Sequence, residues 1–333
     1  MFKLFPLFKI SILFFFFFCL CTPHRLVAQN VNDTMGMQLV SSSLLGSDSS
    51  LPQNLKRRKI IAAASAGLAY GTSLLVLNEA WYKNTLRSKF QFFNDNKEWL
   101  QVDKVGHAWT AYNVSKGMGY IWEWAGYTPK ASAIFGAVSG TAYQTVIEIL
   151  DGHSAKWGWS WGDIGASVLG SGLYLGQQLG GKDQTVQMKF SFHYKNYSGV
   201  DIENRANDLY GDTHRERILK DYNAQTYWLS VNMSALLPKH NVPRWLNIAV
   251  GYGADGLFGG FNNQWVDNAG NDFNRSDIPR RRQFYIAPDI DFSKIRVKNK
   301  FLKKALPVLN IFKMPAPALM FQKDKIKFYP LYF

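Results

Sequence analysis

Near residue 186 the spacing of apolar residues changes. Between residues 60 and 179 they recur at helical spacing, in long runs with little charge. From about residue 186 they alternate with period two. Helical spacing buries one stripe of a cylinder, and alternation buries one face of a strand, so a single repeated architecture cannot satisfy both halves. The expected fold class is therefore α+β. An N-terminal, apolar, Gly-rich bundle of about four helices is followed by an antiparallel β-sheet or partial barrel.

The helices are expected over 60–77, 104–124, 130–150 and 163–179. The first reads IIAAASAGLAYGTSLLVL and carries no charge. It is borderline for a membrane span and equally suits a packed core helix. Small residues recur as Gly67 and Gly71, as Ser132, Gly136 and Gly140, and as Gly172, Gly176 and Gly180. Such stripes let helix backbones approach closely. An exposed helical Gly costs up to ~1 kcal/mol, so tight packing is expected along all three. Downstream, QMKFSFHYKN, QTYWLSVNM, WLNIAVGYGA, RQFYIAPDIDF, ALMFQ and KIKFYPLYF read as strands, with KHNVP and NNQWVDNAGNDFNRSD as loops. Closed lipid-facing barrels start at about eight strands, which favours a sheet or partial barrel packed on the helices. Gly251, Gly253 and Gly256 match G-x-G-x-x-G after a strand, but no helix pattern follows. The run reads as a glycine-rich β-loop.

The N-terminus has Lys3 and Lys9 before an apolar core, and Val27-Ala28 before Gln29. Residues 1–28 read as a secretory signal peptide, 29–55 as a polar disordered linker, 56–182 as the helical domain and 183–333 as the β-rich domain. Both cysteines, Cys19 and Cys21, lie in the leader. The exported chain then has no thiol, which excludes disulfides, thiolate zinc sites and a Cys nucleophile. The formal net charge is +14, and residues 298–333 hold eight Lys against Asp324 alone. For an exported chain this points to membrane lipid or an acidic envelope glycan, not to nucleic acid, and leaves a protein partner open. Arg280, Arg281 and Arg282 read as a solvated strand entry.

The stretch QVDKVGHAWT carries the chemistry. Asp103 and His107 are four apart, on one helical face. Gln144, Glu148 and Asp151 share a face of the next helix, and Asp163 heads the last one. Burying ionisable groups among apolar helices is costly unless they pair, so these groups are expected to converge. A carboxylate beside an imidazole suits general acid–base chemistry. A His with several carboxylates also suits a divalent cation, and the sequence does not choose a cofactor or metal. The structural alternative is as economical. Asp103 caps its helix, His107 is a satisfied core histidine, Asp151-Gly152 ends a helix, and Ser160 to Asp163 form a capping box.

The ordered run DKVGH, IEILDG and WSWGDIGASVLG resembles the YfiM-like family of predicted periplasmic lipoproteins, a domain of unknown function, over roughly residues 80–180. A looser likeness is to VanZ-like membrane proteins. The resemblance implies that Asp103, Lys104, His107, Glu148, Asp151 and Asp163 are the pattern positions, and it attaches no reaction to them. Two features depart from it. Phe18 and Leu20 precede the cysteines, so there is no lipobox. The β-rich half lies outside the short members and looks like the longer Bacteroidetes-type versions. The expectation is an exported envelope protein at the outer membrane or a periplasm-facing membrane surface, with a structural or lipid- or partner-binding role. The alternative is a hydrolase or transferase acting on an envelope lipid or glycan. His107 would be its base or a ligand, Glu148 and Asp163 its partners, and Lys104 a phosphate or carboxylate contact. A polytopic inner-membrane protein would require an uncleaved leader, with KRRK at 56–59 on the cytoplasmic side.

Overall fold

The structure is a computed structural model that describes residues 53–82, 85–181, 184–267, 269–323 and 325–332. The expected leader, linker residues 29–52, Asp324 and the terminal Phe333 lie outside the described residues. Four long helices come first: α1 (Gln53–Leu77), α2 (Val102–Trp124), α3 (Pro129–Gly152) and α4 (Trp161–Leu179). The first begins at Gln53, so the last three residues of the expected linker are helical. Then follow β1 (Val186–Phe192), α5 (Val200–Tyr210), α6 (His214–Lys220), β2 (Gln225–Asn232), the short α7 (Met233–Leu236) and β3 (Leu246–Asp255). The chain continues through β4 (Gln264–Val266), β5 (Asp272–Asn274), β6 (Arg281–Ile290), α8 (Lys300–Leu309), β7 (Ala316–Gln322) and β8 (Lys325–Tyr332).

Side chains define the helix starts. Thr128 caps α3 by accepting from the Ala131 N–H, with Pro129 at the first helical position. Ser160 caps α4 by accepting from the Asp163 N–H. The helix α2 lies between α3 and α4, and small residues make that possible. A Cβ on Gly136 would stand 2.5 Å from the Ser115 carbonyl oxygen, and one on Gly170 would stand 2.0 Å from that of Ala108. Only one of the three expected stripes behaves this way. Gly67, Gly71, Gly172 and Gly176 have no neighbour within 4 Å of an added Cβ. Spacing places small residues on one face but does not say which face meets a neighbour.

The main sheet is antiparallel, in the order β1-β2-β3-β6-β7-β8. All six strands match the expected runs. The polar loop before β6 instead contains the small β4–β5 hairpin, whose three-residue strands are too short to show a period. The sheet curls. Phe190 of β1 pairs with Phe312, just ahead of β7, through Phe190 N to Ile311 O at 2.9 Å. Tyr332 of β8 reaches back to Thr226 of β2 and to Tyr285 of β6, at 2.9 Å each. The result is a partial barrel.

Its interior is mixed and its outer face is apolar. Inside, with Trp228, Tyr285 and Tyr332, lie Gln187, Ser230, Asn247, Gln283 and the fully buried pair Lys189–Asp289 at 2.7 Å. Outside, one cross-strand row reads Leu229, Val250, Ile286, Leu319, Phe328. Every member is exposed, Val250 to 53% and Phe328 to 59%. A second row joins Tyr252, Phe284, Phe321 and Ile326. The helical bundle covers this outer face near β1, β2 and the end of β3, where Phe190, Tyr227 and Ala254 pack with Val102 and Trp109.

Candidate functional site

Between α1 and α2 the chain passes through three consecutive non-glycine residues in the left-handed region. Trp99, Leu100 and Gln101 have φ of 46°, 50° and 65°. This conformation costs roughly 1–2 kcal/mol per residue and persists only when neighbours impose it. Here they do. Trp99 N donates to Gly260 O at 2.8 Å, Tyr252 OH donates to Leu100 O, and Arg282 Nη2 donates to Gln101 Oε1 at 2.5 Å. The β-rich half thus sets the start of α2.

That start presents Asp103, Lys104 and His107 toward α3 and α4. Lys104 Nζ lies 2.7 Å from Asp95 Oδ1 and 2.8 Å from Asp163 Oδ1. His107 Nε2 lies 3.9 Å from both Asp103 Oδ2 and Asp163 Oδ1. On its other side, Nδ1 faces Gln144 Nε2 at 2.9 Å and Glu148 Oε1 at 3.7 Å. Ser160 ties the group together. Its N–H donates to Glu148 Oε2 at 3.0 Å, and its hydroxyl donates to Asp95 Oδ1 at 2.5 Å while capping α4. Tyr222, ahead of β2, donates to Asp103 Oδ1 at 2.7 Å.

Five of the six expected residues therefore meet: Asp103, Lys104, His107, Glu148 and Asp163. Asp151 is turned aside and accepts from Tyr82 OH at 2.6 Å. The expected helix-cap role of Asp103 is not seen, because its carboxylate is engaged by Tyr222 and Gln101 occupies the cap position. The Ser160 cap is seen. Asp95, Tyr222 and Tyr82 were not anticipated; they come from a loop, from the β-rich half and from the helical turn Asn78–Tyr82 that follows α1, and nothing local marks them. Gln144 and Ser160 carried signals, one from helical spacing and one from the capping box.

Crowded carboxylates perturb one another. Burial, then the charge of Asp103, pushes Asp163 up to about 7. Burial pushes Glu148 up to about 8, against the pull of His107. Burial opposes charging of His107, but Asp163, Asp103 and Glu148 outweigh it and hold the imidazole above its ordinary value. Perturbed acids and a perturbed base gathered at one point are what functional sites tend to hold. Asp103, His107 and Asp163 also offer three metal-ligating atoms within 4.8 Å of one another.

Comparison with known families adds one finding. Residues 91–175 match the family described as "Predicted periplasmic lipoprotein (DUF2279)". The matched stretch runs from the turn before α2 into α4 and holds Asp95 as well as all six expected residues. It agrees with the YfiM-like resemblance and supports an exported, periplasm-facing protein of unknown activity. No curated protein and no solved structure matches the chain.

Proposed function

We propose that the protein is a non-enzymatic envelope protein seated at the outer membrane, where it binds lipid through the outward face of its partial barrel. The observation that carries this reading is the apolar outer face of the sheet. Charged and amide side chains share the inside with the Trp228, Tyr285 and Tyr332 cluster, while aliphatic and aromatic rows face out, as in outer-membrane strands. Contiguous exposed apolar patches of this kind mark lipid or protein contact. The helix α8 supports it. Its sequence KFLKKALPVL exposes Phe301 and Leu302 beside Lys300 and Lys303 and leads toward β7. Basic amphipathic helices of this kind lie in the headgroup region of anionic lipid. Two helical segments, Asn54–Tyr82 and Pro129–Gly152, are also long and apolar enough to cross a membrane.

Density-gradient fractionation of native membranes, with N-terminal sequencing of the mature chain, tests the location. Vesicle flotation of the purified protein tests the contact, against the variant Val250→Lys/Ile286→Lys/Leu319→Lys. The wild type is expected in the outer-membrane fraction and to float with vesicles, and the variant to stay behind. Recovery of the wild type in the soluble periplasmic fraction overturns the reading.

A second reading, an enzyme acting on an envelope lipid or glycan, is favoured by the meeting of His107 with the buried carboxyls of Glu148 and Asp163 at one point. Glu148→Gln tests it. A variant that folds like the wild type yet shifts the envelope lipid profile, as a deletion does, would support the enzyme. An unchanged profile in both would remove it.

A further inference from the structure

We propose that Asp103, His107 and Asp163 form a site for one divalent transition-metal ion, Zn²⁺ foremost, with Gln144 and Glu148 holding the His107 ring behind it. The first argument is distance. His107 Nε2 stands 3.9 Å from each carboxylate oxygen, too far for a hydrogen bond. Two donors bound to a zinc ion at about 2.1 Å each stand about 3.4 Å apart at a tetrahedral angle and at most about 4.2 Å apart. With all three donor atoms within 4.8 Å of one another, completing such a shell draws the His107 pairs in by about half an ångström and the carboxylate pair by up to about 1.4 Å.

Charge is the second argument. Four carboxylates, those of Asp95, Asp103, Glu148 and Asp163, each lie within 3.9 Å of Lys104 or His107. An anionic ligand would meet repulsion here, and a cation would relieve it. Lys104 Nζ lies 2.7 Å from Asp95 Oδ1, 2.8 Å from Asp163 Oδ1 and 3.8 Å from Asp103 Oδ2, so a bound ion takes over the two ligand oxygens and leaves the ammonium on Asp95. Asp103 is already oriented, since Tyr222 takes Oδ1 and leaves Oδ2 toward His107.

The third argument is independent of the acidic groups' number. Glu148 is 1% exposed and Gln144 2% exposed, yet among the described residues Oε1 of each has no hydrogen-bond donor. Both belong to side chains that face His107 Nδ1. A half-turn of the Gln144 amide brings its oxygen against Nδ1, which then carries the ring proton. Nε2 is thereby left with a lone pair for the metal. A ring N–H donated to a carbonyl or carboxylate is the usual support behind a metal-bound histidine. With nitrogen and oxygen donors and no thiolate, the set suits Zn²⁺ or Mn²⁺, and three protein donors leave a position for water.

The test uses the tag-free mature chain in detergent. It is stripped with chelator, dialysed against Zn²⁺ and assayed by elemental mass spectrometry, with Co²⁺ loading followed in the visible. One ion per chain is expected, with intense bands for Co²⁺ held in a low-coordinate shell. His107→Gln is expected to weaken Zn²⁺ by at least about 10–100-fold, the loss typical of removing even an outer support. Zn²⁺ should raise the melting temperature of the wild type and not of that variant. Absence of saturable uptake by the wild type overturns the proposal. So does equal affinity in folded His107→Gln and Asp163→Asn. If those variants fail to fold, the wild-type Co²⁺ spectrum decides: weak bands like those of the hydrated ion overturn the site.

Discussion

Gly170→Ala isolates what holds the polar cluster together. The new Cβ would lie 2.0 Å from the Ala108 carbonyl oxygen, 2.8 Å from its carbon and 2.9 Å from its Cα. All three are backbone atoms, so no side chain can swing away. Ordinary contact begins near 3.4 Å, and α4 must therefore move from α2 by more than about 1 Å. Overpacking of this kind costs about 1–3 kcal/mol, sometimes more. Ala also raises helix propensity by up to ~1 kcal/mol. Gly172→Ala gains the same propensity with nothing within 4 Å of its Cβ, so the difference between the two variants reports the clash alone. That difference is about 1–3 kcal/mol, or roughly 1–5 °C in melting temperature for a chain of this size. Ala108 follows His107, so the displacement also pulls Asp163 from the 2.8 Å contact with Lys104. Thermal unfolding in detergent measures it. Equal melting temperatures for the two variants would refute the idea that α2 and α4 touch through Gly170.

Asp289→Ala removes the buried partner of Lys189 and is expected to cost about 3–5 kcal/mol, read as a lowered denaturation midpoint. Lys313 is pushed down from 10.5 to about 8 by burial, against the pull of Asp289. Its folded value is depressed, so its unfavourable contribution is full below about pH 8 and fades as the pH rises toward 10.5. The stability advantage of Lys313→Met over the wild type should shrink across that window, and a constant gap would contradict the assignment. Ser160→Ala loses the α4 cap and the hydroxyl contact to Asp95, for an expected loss of about 1–2 kcal/mol in the same unfolding assay.

The convergence of Asp103, His107, Glu148 and Asp163 was legible because charges on apolar helices have few other low-cost arrangements. The left-handed run at 99–101 was not. Trp, Leu and Gln are not residues that mark positive φ, and the contacts that impose it come from Gly260, Tyr252 and Arg282, far away in sequence. The strands were legible and their orientation was not. Alternation in QTYWLSVN assigns Leu229 to one face and Ser230 to the other, but the same pattern serves an apolar interior or an apolar exterior. Only tertiary closure through Phe312 and Tyr332 decides that Ser230 points inward. The helices α5, α6 and α8 were not anticipated either. They are short, and α6 rests on a Thr213 cap inside a polar run.

The matched family segment ends at residue 175, yet its polar cluster is not complete without the strands beyond it. Tyr222 orients the Asp103 carboxylate, Tyr252 and Arg282 hold the strained turn before α2, and Tyr227 packs against Gly106, where a Cβ would meet its hydroxyl at 2.8 Å. These contacts come from the β1–β2, β3 and β6 regions of the same partial barrel. A change in how the barrel sits on its surroundings therefore has a direct mechanical route to the start of α2, three to six residues from His107. If the apolar outer face is seated in lipid, the geometry of the cluster and the seating of the barrel are linked through the 99–101 turn. Gln101→Gly separates the two. It relieves the left-handed strain and removes the Arg282 contact together, leaving the outer face untouched. Vesicle flotation should then be unchanged, while Zn²⁺ affinity should fall because the carboxylate and imidazole are no longer held at their present spacing. Loss of flotation in that variant would mean that the turn supports the barrel instead of the cluster.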